Sequence, residues 1–143
     1  TGKVIIWARF TRDIENILKF LNETYGPQCA VAYYGAVDDD TRSANVKAFQ
    51  ENPNVRFFIG NQQAGGTGLT LTAASMVIYY SNDFNLENRL QSEDRAHRIG
   101  QKNNVTYVDI EALGTVDTRI INALRTKKDV ASLITKDPWT EWI

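Results

Sequence analysis

The chain has 143 residues, of which 43% are hydrophobic and 23% charged, the proportions of one globular domain with a core of its own. A net charge of −1 excludes a domain coated in basic surface, so any nucleic-acid contact has to be local. One cysteine and one histidine leave no zinc set and no internal disulfide, which points to a reducing compartment, and no run approaches the ~18 apolar residues of a membrane span.

Residues 4–8, Val-Ile-Ile-Trp-Ala, form a continuous apolar run of the kind found in strands buried on both faces. The chain enters this run almost at once, so an upstream part is expected to be missing. Thr11 is placed to cap a helix with Asp13 and Glu15 in its first turn, and Ile14, Ile17, Leu18 and Leu21 make one inward stripe. Gly26 and Pro27 stop it. A second strand is expected from Cys29 onward to Tyr33. The acidic run Asp38, Asp39 and Asp40 follows, readable as a cation site but lacking a metal-loop spacing, or as a turn in which Asp40 caps the next helix. That helix, 41–51, turns Val46 and Phe49 inward and ends at Asn52-Pro53.

Residues 55–60 give a third strand, followed by a loop with glycines at 65, 66 and 68. Such a loop lets backbone N–H groups approach a phosphate, or simply turns tightly against the sheet. A fourth strand is expected at 76–80, and Asn85 can cap a helix running from Leu86 to Ile99, closed by Gly100. On that helix Gln91, Arg95 and Arg98 fall on one face, while Leu86 and Leu90 mark another that can pack inward. Two arginines side by side repel each other unless an anion lies opposite, or unless Glu93 and Asp94 pair with them as a solvated surface. Residues 105–110 supply a fifth strand. The next helix places Val116, Ile120 and Leu124 one turn apart, with Ile121 beside them and Arg125, Lys127 and Lys128 at its end. Val130, Leu133 and Ile134 suggest one further helical turn, and the tail holding Trp139 and Trp142 has no readable period.

Strands alternating with helices predict a single α/β domain over 1–143, with a mainly parallel sheet covered on both sides and ligands at the carboxyl ends of its strands. The glycine loop is neither a Gly-x-x-x-x-Gly-Lys-Ser/Thr phosphate loop nor a dinucleotide fingerprint. If a nucleoside triphosphate is the ligand, the part that would cradle its phosphates and hold its magnesium is not in this chain. An arginine that neutralises charge on a transferring phosphoryl group can come from a separate domain. His97 has no nucleophile partner recognisable by pattern.

Residues 94–101, Asp-Arg-Ala-His-Arg-Ile-Gly-Gln, closely resemble the final motif of Swi/Snf-type ATPases, the DNA-translocating branch of helicase superfamily two. Residues 64–74 are similar to the motif before it, residues 3–10 to the first motif of that lobe, and Tyr34-Gly35 with Arg42 and Phe49 to the next. The resemblance runs in order from Lys3 to about Ile134. It implies a RecA-like three-layer α/β/α sandwich, the second lobe of the motor, with the first lobe absent from this chain. It further implies that Arg95 and Arg98 are arginine fingers acting on ATP with Mg2+, held mainly by that first lobe. Gln91, Gly66 and Gly68 would line the nucleotide cleft, and Gly35, Asn61, Gln62 and Gln63 would follow double-stranded DNA. The chain departs from the family at Gln63, where a basic residue is frequent, and at Phe84, where tryptophan is usual. Its compact spacing resembles bacterial or phage members, implying a cytoplasmic protein, or a nuclear one if eukaryotic. The fragment is expected to be a monomer without ATPase activity of its own. Rival readings are a strand-separating helicase, a non-catalytic DNA-binding or regulatory module using Arg95, Arg98 and Lys102, and a doubly wound nucleotide-sugar or dinucleotide enzyme.

Overall fold

The computed structural model describes residues 2–63, 68–82 and 85–135, with side chains to residue 129. Five strands, β1 (Lys3–Trp7), β2 (Ala30–Tyr33), β3 (Phe57–Gly60), β4 (Ala74–Tyr79) and β5 (Thr106–Asp109), form one sheet in the order β2-β3-β1-β4-β5. Every pairing among them is parallel. The connecting helices are α1 (Thr11–Tyr25), α2 (Asp39–Glu51), α3 (Leu86–Asp94) and α4 (Val116–Thr135).

Alternation along the central strands divides the core in two. Ile6, Ala8 and Ile59 face α1, whose Ile14 and Leu21 are buried against them, with Ile17 and Leu18 partly so. Ile5, Trp7, Phe58, Val77 and Tyr79 face the other way, onto Phe49 of α2 and onto Leu71 and Ala96 beside α3. The result is the expected α/β/α sandwich. Gly60 is required where β3 runs closest to its neighbours: a Cβ there would lie 2.7 Å from the Tyr33 carbonyl and 3.1 Å from the Trp7 ring.

Several local expectations change. The N-cap of α1 is Phe10, without a side-chain bond, and Thr11 is the first helical residue. Asp38, not Asp40, caps α2, its carboxylate accepting from the Thr41 N–H at 2.8 Å and the Thr41 hydroxyl at 3.0 Å. Asp39 pairs with Arg42, so two members of the acidic run have structural partners. Asn85 does cap α3, accepting from Asn88 N–H at 3.1 Å. Helix α4 continues unbroken through 130–134, which places Lys128 within it rather than at its end. Val116 is 56% exposed and leaves the inward stripe to Ile120, Ile121 and Leu124. The tail bearing Trp139 and Trp142 lies outside the described residues, as does Phe84. No helix among the described residues is long and apolar enough to cross a membrane.

Candidate functional site

Helix α3 ends at Asp94, five residues earlier than its pattern predicts. The carbonyls that would continue it are taken from outside. The Arg95 carbonyl accepts from Leu71 N–H at 2.9 Å and the Ala96 carbonyl from the Gln101 amide at 2.9 Å. Arg95 is therefore the C-cap and Arg98 lies in the turn beyond, so Gln91, Arg95 and Arg98 do not share a helix face. Gly100, at φ +101°, closes the turn as expected.

The two guanidiniums nonetheless converge, on a shared carbonyl and on the carboxylate of Asp94. Arg98 Nη1 donates to Leu69 O at 2.7 Å, Gly68 O at 3.0 Å and Thr70 Oγ1 at 3.3 Å. Arg95 Nη1 reaches the same Leu69 O at 3.5 Å, while its Nε donates to Gln91 O at 2.7 Å. Both pair with Asp94, Arg95 at 3.3 Å and Arg98 at 3.8 Å. Their exposures differ: the Arg95 side chain is 8% accessible and that of Arg98 32%. Burial pulls the Arg95 pKa below its ordinary value, Asp94 opposes that, and the nearby charge of Arg98 adds to it.

Gly68 has φ +81°, a conformation that an L side chain adopts only under strain, and a Cβ there would point at Arg95 Nη1 from 3.9 Å. Gln91 sits one turn earlier on α3 and donates to Glu87 at 3.2 Å. Gly66 lies outside the described residues. Beside the turn an open cleft of about 870 Å3 is lined by Thr70, Asp94, His97, Arg98, Asn103 and Tyr107 among others.

This arginine turn is not at the carboxyl edge of the sheet. Gln101 donates to the carbonyl of Ala74, the first residue of β4, at 3.0 Å, and Asn103 and Val105 lead into β5. Residues 68–73 run beside the turn into β4, Gly68 and Leu69 bonded by Arg98 and Leu71 by the Arg95 carbonyl. Gln50 of α2 holds the end of this segment, accepting from Ala73 N–H at 2.8 Å and donating to Thr72 Oγ1 at 3.1 Å.

Gly35, Asn61, Gln62 and Gln63 do follow the carboxyl ends of β2 and β3. Gly35 and Gln63 are exposed and Asn61 is half-buried. Arg9, Phe10 and residues 61–63 line a recess of about 240 Å3, and Arg9 N–H donates to Ser81 Oγ at 2.7 Å, tying the loops after β1 and β4 together. The Gln62 side chain is placed differently from its neighbours. It is 4% exposed and its amide donates to Asn82 Oδ1 at 2.9 Å, so its side chain turns inward from the surface that Gln63 presents.

Sequence periodicity also missed the buried face of α3. The buried residues are Arg89, Ser92 and Glu93, while Leu86 and Leu90 are only half-buried. Arg89 forms a fork onto Asp109 of β5, at 2.6 and 3.1 Å, and its Nε donates to Glu93 Oε1 at 2.7 Å. Lys128 of α4 donates to the same Glu93 oxygen at 2.6 Å. The guanidinium lies 3.5 Å from the centroid of the Tyr79 ring. The quartet matches two basic side chains to two carboxyls, so its formal charges cancel in a largely buried setting. Burial works against the Asp109 carboxylate, but hydrogen bonds and charge from Arg89, with help from Asn82, hold its pKa below the ordinary value. For Lys128 burial prevails over Glu93 and lowers the pKa. The opposite charges at Arg89 and Glu93 were visible as an i, i+4 pair; Asp109 and Lys128 carry no local signal of it.

Among the described residues, no three His, Cys, Asp or Glu side chains are grouped to hold a metal. The model of the helicase conserved C-terminal domain family matches residues 1–100. Similar curated proteins include "Chromatin-remodeling ATPase INO80" of Mycosarcoma maydis, 36% identical over 132 residues, which cover 92% of this chain and 7% of the relative. "Lymphoid-specific helicase" of Homo sapiens is 36% identical over 100 residues, 70% of this chain and 12% of that protein. A solved structure described as the C-terminal part of Fun30 ATPase domain superposes with a TM-score of 0.78 at 26% identity, over 86% of this chain and 39% of that one. The chain thus spans a small part of the curated relatives it matches. Both of these are eukaryotic proteins, and they lend no support to the expected bacterial or phage kinship.

Proposed function

The chain belongs to the helicase conserved C-terminal domain family, as the C-terminal lobe of a Snf2-type ATPase, and from that premise we propose that it is half of a DNA-dependent motor. In this reading residues 1–143 are one lobe, a first lobe elsewhere in the same protein holds ATP and its magnesium, and the motor works on nuclear double-stranded DNA. The observation that carries it is the convergence of Arg95 and Arg98 on Leu69 O beside Gly68. Guanidinium forks suit phosphate oxygens, and Arg98 is the accessible member of the pair. Arg98 would exchange carbonyl partners for phosphate oxygens as the lobes close. Arg95, with Gln91 behind it, would hold the turn and add charge from a drier position. ATP bound there supplies the phosphoryl group and the charge that the arginines neutralise. On the opposite edge, Gly35, Asn61 and Gln63 would follow the DNA backbone.

Replacing Arg98→Ala in the full-length protein should lower DNA-stimulated kcat by about a thousandfold or more, the size of effect an arginine finger has. Wild-type turnover in that variant would overturn the assignment.

A second reading has an observation in its favour, because both guanidiniums already have protein partners. A regulatory or DNA-binding module would use them to brace the turn, and Arg98→Ala would then leave turnover intact. Unwinding and translocation assays on the full-length protein separate a strand-separating helicase from a translocase.

A further inference from the structure

The quartet of Arg89, Asp109, Glu93 and Lys128 connects to the DNA edge through one residue. Asn82, in the loop after β4, accepts at Oδ1 from Gln62 Nε2 at 2.9 Å and from Arg89 Nη1 at 3.0 Å, and donates its own amide to Asp109 at 2.9 Å. Arg89 then donates to Glu93, whose main-chain carbonyl accepts from the Tyr107 hydroxyl at 2.9 Å and from His97 N–H at 3.2 Å. Three side-chain hydrogen bonds therefore run from loop 61–63 to Glu93, in the last turn of α3 and two residues before Arg95. Gln62 and Asn82 are each 4% exposed, Arg89 3% and Glu93 0%.

Burial gives this chain of bonds its mechanical character. Water cannot replace a lost partner there, so each joint either holds or forces its neighbour to move. Asn82 is the branching joint. If loop 61–63 draws Gln62 away, Oδ1 is left to Arg89 alone. Arg89 cannot follow freely, because its Nε is committed to Glu93 and its fork to Asp109. Glu93 in turn directly precedes Asp94, the carboxylate paired with both arginines. Stacking of Arg89 on Tyr79 and the Tyr79 hydroxyl on Ser92, at 2.8 Å, keep the whole segment of α3 on the sheet.

We propose that Asn82 and Gln62 are positioning residues that make ATP hydrolysis answer to DNA, by linking loop 61–63 to the turn bearing Arg95 and Arg98. This rests on the motor reading above, and assigns Gln62 an inward task in place of a surface contact. A link of this kind changes how far DNA stimulates turnover, without changing how tightly DNA is held.

The test is ATP hydrolysis by the full-length protein, with and without saturating duplex DNA, for wild type, Asn82→Leu, Gln62→Met and the double variant. Asn82→Leu should leave DNA-free hydrolysis within about twofold and lower the DNA-stimulated kcat about tenfold, a coupling the size of one or two buried hydrogen bonds. The DNA concentration giving half-maximal stimulation should stay the same. Gln62→Met leaves the charged quartet intact, so it serves even if Asn82→Leu folds poorly. It should reduce stimulated kcat similarly, and the double variant should be no worse than either single one. Full stimulation in Gln62→Met, or a loss recovered by adding more DNA, would overturn the link. So would equal loss of basal and stimulated rates. Arg98→Ala, run alongside, separates the two claims: if it turns over normally the motor reading itself fails, whereas its loss with normal stimulation in Gln62→Met removes the link alone.

Discussion

At the scale of single residues, the pairing of Arg95 and Arg98 was legible because an arginine repeated near one helical turn is a strong local signal. Which of the two is accessible was not legible. That depends on Leu69 and Gly68, nearly thirty residues away, which occupy the guanidiniums, and on Leu71, which takes the Arg95 carbonyl. The difference in burial separates stability from activity. Arg95→Ala removes a guanidinium with bonds to Gln91 O, Leu69 O and Asp94, and should cost about 2–3 kcal/mol in urea unfolding of this chain. Arg98→Ala removes a one-third exposed group and should cost about 1 kcal/mol or less, although it is the variant expected to lose more turnover. Equal destabilisation by the two would mean that Arg98 is as deeply structural as Arg95. Gln62 shows the same limit on reading residues singly. Its neighbours Asn61 and Gln63 are chemically alike, and the partner that Gln62 meets inside, Asn82, lies twenty residues away.

At the scale of elements, the runs that define β1–β4 and the inward stripe and stop of α1, though not its cap, were legible because apolar periodicity and glycine or proline stops are local. Helix α3 was misread for a physical reason. A leucine pair one turn apart normally marks the buried face, but here four mutually neutralising charges from α3, β5 and α4 outweigh it. Removing one member should expose that balance. Asp109→Asn keeps the shape but strips the charge that faces Arg89, and at pH 7 should lower stability by about 2–3 kcal/mol. The wild-type Asp109 pKa lies below the ordinary carboxylate value, so the unfolded chain binds its proton first as pH falls. Its stabilisation is therefore complete above about pH 4 and is lost as pH drops through the lower folded value. The difference between wild type and Asp109→Asn in urea midpoint should accordingly hold from pH 7 to pH 5 and shrink below pH 4. A gap that stays constant into strong acid would show that Asp109 acts through shape and not charge.

At the scale of the whole molecule, five parallel strands and two helical layers follow from alternation of strand and helix, but the order β2-β3-β1-β4-β5 does not, because a strand's neighbours leave no trace in its own pattern. Nor did the pattern show that the two proposed contacts sit apart, with Gly35, Asn61 and Gln63 at the carboxyl edge and the arginine turn toward the amino end of β4. On the proposed motor reading both sites would be completed by the first lobe, and the net charge of the chain is consistent with that. At a net −1, and with Arg9 the cation lining the recess beside residues 61–63, the isolated chain should neutralise about one or two phosphates. Its affinity for duplex DNA should then fall by about tenfold or less between 50 and 200 mM salt, since each phosphate contributes a slope of about 0.9 in log affinity against log salt. Titration of a labelled duplex across that salt range measures the slope directly. A slope of five or more would mean that this surface binds DNA unaided, as an autonomous DNA-binding module does, and that its arginines serve DNA phosphates instead of a nucleotide shared between two lobes.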